Sequence, residues 1–197
     1  MSLPELEDPF EQFGKWYAEV RDEPAITEPT AMCVATAGSD GLPAARMVLL
    51  KAWDRDGFVF YTNYESDKGR DLLANPQAAL LFYWMPLGRQ VRVQGRVEQV
   101  TAEEADAYFG SRARDSQIGA WASRQSRPMT GRYDLEKRVA EFAIRFNVGR
   151  VPRPDYWSGF RVVPQRMEFW QEGRFRLHQR LVYLKDGDGW TRQWLFP

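Results

Sequence analysis

Between Phe10 and Val20 the apolar residues fall at Phe10, Phe13, Trp16, Tyr17 and Val20, the three- and four-residue spacing of one helical face. Asp8 and Pro9 supply a cap and a first-turn proline, so the pattern predicts a helix over 8–21 that stops before Asp22 and Pro24. Five β-type runs follow, at 31–37, 44–53, 58–64, 78–84 and 90–100, separated by turn residues such as Gly41 and Pro43, Asp54 and Gly57, and Asn75 and Pro76. They predict an antiparallel meander. A short helix over 66–74 interrupts it, capped by Ser66, with Leu72 and Leu73 as its apolar side.

After Val100 the pattern changes. Thr101 and Glu104 form a capping-box signature ahead of Ala105, Tyr108 and Phe109, and 134–146 predicts a further helix with a stripe through Leu135, Val139, Phe142, Ile144 and Phe146. The stretch 110–131 between them is polar and rich in arginine. Strands return at 159–163, 166–170, 181–185 and 190–195, the last two joined by a turn over 186–189. Strands, helices, then strands imply an α+β chain built on a closed or nearly closed antiparallel barrel. No repeat, low-complexity tract or linker divides it, so one domain over 1–197 is expected, with the N-terminal helix at about 8–21 and C-terminal strands at about 159–197.

Charge narrows the function classes. Lys plus Arg and Asp plus Glu are 27 each, so no global field favours nucleic acid or an anionic membrane, and any anion site must be local. The single cysteine, Cys33, excludes an internal disulfide framework and a cysteine-cluster metal site; its apolar neighbours suggest a core position. The opening residues are acidic without an apolar signal core, and no run approaches a membrane span, so a cytoplasmic protein is expected. The lone histidine makes a zinc enzyme improbable, and phosphate-loop, zincin and nucleophile-elbow motifs are absent.

Four polar clusters remain. Arg176, His178 and Arg180 recur at every second position near Trp170; on a strand they would share one face, suited to an anionic planar ligand or, alternatively, merely a basic edge. Arg46 and Lys51 bracket an apolar run, and strand alternation would send them to opposite faces. Gln90, Arg92 and Gln94 share a polar strand face. Tyr108, Arg112 and Ser116, four apart, would stack along one helical face either as a phosphate cradle or as a solvated surface. Together these positions favour a cofactor enzyme, whose protein supplies orientation and electrostatics.

The blocks 46–51, 60–63, 89–91, 111–121, 125–126 and 168–180, in this order, resemble the pyridoxine/pyridoxamine 5′-phosphate oxidase family, colinearly from about Pro29 to the C-terminus. The resemblance implies an FMN-binding split β-barrel with flanking helices and a homodimer with FMN at the interface. It also implies oxidation of pyridoxine or pyridoxamine 5′-phosphate to pyridoxal 5′-phosphate by molecular oxygen, a step of vitamin B6 metabolism. It assigns FMN to Arg46, Met47, Val48, Leu49, Leu50, Lys51, Tyr61, Thr62, Lys68, Gln90, Gln125, Ser126, Trp170 and Arg180. Substrate falls to Lys51, Tyr108, Arg112, Ser116, Arg176, Leu177 and His178, with Arg176 and His178 at the reacting end. No metal, nucleic acid or membrane enters this expectation. Asp67 stands where many members carry a second basic residue, and Gln179 where an acidic one is usual. No arginine-rich arm precedes the first helix, so no substrate lid is assigned to residues 1–8. Rival readings are a related flavin oxidase of the phenazine type and a non-catalytic flavin or pyridoxal-phosphate binder.

Overall fold

The computed structural model describes Leu3 and residues 5–197; the expectations for the opening residues fall outside the description at Met1, Ser2 and Pro4. Helix α1 (Pro9–Arg21) begins where its cap chemistry predicts, the Asp8 carboxylate accepting from the Phe10 N–H at 2.7 Å and the Glu11 N–H at 3.4 Å. Its apolar face buries Phe10, Phe13, Trp16 and Val20. Arg89 closes over that face, its guanidinium 4.7 Å from the Trp16 ring and 2.7 Å from the Glu19 carboxylate.

The strands are β1 (Ala31–Ala37), β2 (Pro43–Leu49), β3 (Ala52–Asp54), β4 (Gly57–Asn63), β5 (Gln77–Trp84), β6 (Arg89–Gln99), β7 (Trp157–Gln171), β8 (Gln179–Asp186) and β9 (Gly189–Leu195). All pairings are antiparallel, in the order β2-β1-β5-β6-β7-β4-β3, with β8 on β7 and β9 on β8. The result is a curled half-barrel. It is not the meander expected from strand succession, because β1 pairs with β5 and β4 with β7 across long stretches of chain. Helices α2 (Asp67–Ala74), α3 (Ala102–Ser111), α4 (Arg114–Ala122) and α5 (Asp134–Arg145) flank the sheet. Ser66 caps α2 through the Gly69 N–H, and Thr101 and Glu104 form the capping box of α3.

Four local expectations are corrected. The run 44–53 is two strands, because Leu50 turns into the core and the Leu50 and Lys51 N–H groups bond to the carbonyls of Thr30 and Val59 at 2.8 and 2.9 Å. The runs at 159–163 and 166–170 are a single strand, β7. Pro164 is accommodated there by a register shift opposite Gln94 and Gly95, where an added Cβ on Gly95 would come 1.9 Å from the Val163 carbonyl oxygen. The polar stretch 110–131 contains α4, which lacks a side-chain cap and a long apolar stripe. Cys33 is half-buried on the face of β1 opposite Met32, Val34 and Thr36, beside the exposed Met47, Tyr83 and Met85, and so lies outside the core.

Candidate functional site

A cavity of about 880 Å³ opens between β2, β4, the start of α2 and the α3–α4 corner. Arg46, Met47, Val48, Leu49, Lys51, Tyr61, Thr62, Lys68, Tyr108, Arg112, Ser116, Gln125 and Ser126 all line it, and only Leu50 of the expected 46–51 segment turns away, into the core. Arg46 and Lys51 therefore share one cavity rather than facing opposite sides. Strand alternation fails between them because β2 ends at Leu49.

Tyr108, Arg112 and Ser116 also converge, though not along one helix. Arg112 is the C-cap of α3 in extended conformation (φ −73°, ψ 150°), and Ser116 belongs to α4. The corner is held by the Gln117 side-chain amide, which donates to the carbonyls of Phe109 at 2.9 Å and Arg112 at 3.1 Å. The Arg112 guanidinium lies 4.7 Å from the Trp157 ring, and its buried Nη1 has no hydrogen-bond partner among the described residues. Tyr61 stacks on Tyr108 at 4.0 Å and on Trp157 at 5.4 Å, making an aromatic wall beside that guanidinium.

At the other end, Lys68 is 8 % exposed and, among the described residues, its Nζ donates to neutral acceptors alone: Thr62 Oγ1 at 3.1 Å, Ser66 Oγ at 3.4 Å and Gln125 Oε1 at 3.4 Å. Burial, and then the neighbouring Arg46 charge, hold its pKa below the ordinary 10.5 despite the counteracting charge of Asp67. Arg46 is fixed by Thr36 and Asp71: its Nη1 donates to Thr36 Oγ1 at 2.5 Å and its Nη2 lies 3.8 Å from Asp71 Oδ2, which accepts from Thr36 at 2.6 Å. Neither Thr36 nor Asp71 was recognisable beforehand, since each is ordinary in its own segment. Asp67 turns outward to Arg70 at 2.5 Å, and its N–H donates to Ser126 Oγ at 3.2 Å.

Four cations thus line the cavity against one carboxylate at its rim. Burial also pushes the phenols of Tyr61 and Tyr108 above 10 and lowers the Arg112 pKa. The tyrosines therefore stay neutral donors at neutral pH while the cations seek anionic partners. Such a cavity can hold anions at two separated points beside an aromatic surface.

The other expected residues sit elsewhere on the sheet. Gln90, Trp170 and Arg180 are register neighbours across β6, β7 and β8. Arg176 and His178 do not share a strand face with Arg180, because 174–176 is a 3-10 turn with Phe175 and Arg176 at φ 56° and 64°, and β8 starts only at Gln179. The turn nevertheless brings the His178 ring to 4.8 Å from Trp170, with Nδ1 accepting the Gly173 N–H at 3.3 Å. Phe175 and Leu177 are exposed there. Gln179 Oε1 accepts the Leu3 N–H at 2.7 Å and so ties the N-terminal segment to β8. The non-glycine residues described with positive φ are Ser126, Phe175 and Arg176, all within these site segments.

Residues 6–145 match the family model described as pyridoxamine 5′-phosphate oxidase, and residues 157–197 match that of the pyridoxine 5′-phosphate oxidase C-terminal dimerisation region. A pyridoxine/pyridoxamine 5′-phosphate oxidase of Caulobacter vibrioides is 57% identical over 97% of this chain and 86% of its own length. That of Rhodospirillum rubrum is 56% identical over the full length of both chains. Among solved structures, PhzG from Burkholderia lata, in complex with tetrahydrophenazine-1-carboxylic acid, superposes with a TM-score of 0.91 at 32% identity over 98% of this chain and 94% of its own. A pyridoxamine 5′-phosphate oxidase-related, FMN-binding protein of Nostoc punctiforme shares the fold over the full length of both chains, at TM-score 0.75 and 14% identity. With this half-barrel and both parts of its length matched, the chain belongs to the pyridoxamine 5′-phosphate oxidase family.

Proposed function

We propose that the protein oxidises pyridoxine 5′-phosphate and pyridoxamine 5′-phosphate to pyridoxal 5′-phosphate with FMN as cofactor and molecular oxygen as acceptor, releasing hydrogen peroxide and, from the amine, ammonia. The observation that carries this reading is the pair of anion-seeking ends in one cavity: buried Lys68 with Arg46, and Arg112 with an orphaned Nη1 beside Tyr108. These residues fit FMN. Lys68 and Arg46 match its phosphate, with Thr62, Gln125 and Ser126 as neutral neighbours, while the β2 segment offers backbone and apolar edges.

When bound, FMN supplies a ring that takes hydride from the substrate carbon and returns the electrons to oxygen. Lys51, Tyr108, Arg112 and Ser116 hold the substrate phosphate, which orients its ring. Arg176 and His178 meet the substrate ring at the reacting carbon, and no covalent nucleophile is required. Gln90, Trp170, Arg176, His178 and Arg180 lie apart from the 880 Å³ cavity of their own chain. A two-fold homodimer, in keeping with the C-terminal dimerisation region, lets one subunit's C-terminal strands complete the other's cavity. Residues 1–197 act in this reading as one domain.

The PhzG likeness supports a second reading, an oxidase of a phenazine precursor. The converging Tyr108, Arg112 and Ser116 favour a phosphorylated substrate instead. Adding pyridoxine 5′-phosphate without oxygen to the FMN-loaded protein is expected to bleach the flavin band, with recovery in air and formation of pyridoxal 5′-phosphate. A flavin that bleaches with neither vitamer phosphate overturns the proposal.

Lys68 also sets a pH dependence. A phosphate dianion binds the protonated ammonium, so affinity for FMN falls as pH rises through the Lys68 pKa. That pKa is below 10.5, so the fall begins at lower pH than for an ordinary lysine. Titrating FMN by flavin fluorescence across alkaline pH should show this fall in the natural protein and lose its Lys68 component in Lys68→Met, which binds more weakly throughout. Parallel pH profiles in the two proteins would remove Lys68 from the phosphate site.

A further inference from the structure

We propose that Glu168 is a positioning residue for the flavin site, acting through Arg180. This rests on the FMN reading above, which itself makes no use of Glu168.

Glu168 is 2 % exposed in the C-terminal part of β7, a site where a carboxylate is costly to desolvate. Arginines from three strands surround it. Arg180 of β8 presents Nε at 2.9 Å and Nη2 at 2.8 Å to Glu168 Oε1. Arg166 of β7 and Arg92 of β6 reach Oε2 at 2.9 and 3.4 Å. Both carboxylate oxygens are therefore engaged, so the group has no free rotation. Arg180 is further pinned by its Nη1, which donates to the Phe196 carbonyl at 3.0 Å. Arg180 thus donates hydrogen bonds through Nε and Nη1, with Nη2 in ion-pair contact, and the fork keeps further N–H capacity that a ligand can use. The arginine side chains are 25 to 46 % exposed while the Glu168 side chain is 3 % exposed, so the anion lies beneath and the cations face outward.

Structural economy does not account for this arrangement. Apolar residues of similar volume commonly stabilise a buried ion-pair site as well or better. What the buried carboxylate adds is direction: it aligns the Arg180 fork in register with Trp170 and Gln90 on the neighbouring strands. Glu168 touches no reacting atom in this scheme. Its effect on flavin must pass through Arg180.

That dependence is testable by a double-mutant cycle on FMN dissociation constants, read by flavin fluorescence and by the visible spectrum of the bound flavin. Glu168→Gln keeps the shape but removes the charge that holds the fork. It is expected to weaken FMN binding about tenfold, the value of one lost hydrogen bond, and to shift the bound-flavin band. Arg180→Ala is expected to weaken it about a hundredfold. In the Arg180→Ala background Glu168→Gln should add nothing, because the group it orients is gone. A merely structural role predicts an equal loss in both backgrounds, and that additive result overturns the proposal, as does Glu168→Gln with natural FMN affinity. If Glu168→Gln does not yield folded protein, Glu168→Asp, which keeps the charge and shortens the reach, carries the same cycle with the same two outcomes. Failure of the natural protein to bind FMN would overturn the functional reading and this inference together. Natural binding with an additive cycle overturns the inference alone.

Discussion

Replacing Arg112 with methionine is expected to raise the KM for pyridoxine 5′-phosphate by about 10²- to 10⁴-fold while FMN affinity stays close to natural. The magnitude follows from the loss of two charge-assisted hydrogen bonds, each worth about 1.5–3 kcal/mol, from a partly desolvated site. Arg112 is the natural choice for this effect because its Nη1 is buried without a partner among the described residues, while its plane is already held 4.7 Å from Trp157. A guanidinium held in this way loses little further entropy on meeting phosphate. Methionine retains much of the packing against Trp157 and Phe109, so the loss should report the missing charge and fork rather than a collapsed corner. Arg112→Lys should recover only part of the affinity, since a point charge replaces a planar fork. Steady-state kinetics together with FMN titration check this. An unchanged KM in Arg112→Met would move the substrate phosphate elsewhere.

Truncating Phe13 to alanine is expected to destabilise the protein by about 3–5 kcal/mol, enough to lower the Tm by about 6–20 °C for a chain of this size. Phe13 is fully buried, and its ring meets Phe58 at 4.9 Å, Trp53 at 5.0 Å, Phe82 at 5.3 Å and Tyr17 at 5.5 Å. These partners come from β3, β4, β5 and α1 itself, so the single ring joins the helix to three strands of the half-barrel. Such rigid aromatic surroundings cannot close over the space an alanine leaves, which places the cost in the upper part of the usual range. Phe13→Leu should lose less. Thermal denaturation at fixed protein concentration checks both, because a dimer's Tm depends on concentration. A Tm within 2 °C of the natural value would mean that α1 contributes little to the folded core.

Much of the secondary structure was legible because its causes are local. Asp8, Ser66 and Thr101 with Glu104 each cap the helix they announce, and β1 occupies the predicted run 31–37. Reading failed where a long-range partner overrides the local pattern. The 44–53 run breaks because Leu50 finds the core, and β7 runs through Pro164 because Gly95 across the ladder makes room for it. The strand face considered for Arg176, His178 and Arg180 does not form, because 174–177 is a turn held by the Arg174 carbonyl and the Leu177 N–H, and its positive-φ residues carry no reliable signature in residue type.

The sequence by itself determined the family, the residue types of the candidate site and the caps that start its helices, since ordered motifs and local hydrogen bonding are properties of neighbouring residues. Only the tertiary structure decided which of those residues stand together. It places Arg46, Lys68 and Arg112 in one cavity, sets Trp170 and Arg180 on a separate part of the sheet, and buries Glu168 beneath three guanidiniums. The physical reason is that strand order, register and the corner between α3 and α4 arise from burial of apolar surface shared by distant segments. No window of sequence contains that quantity.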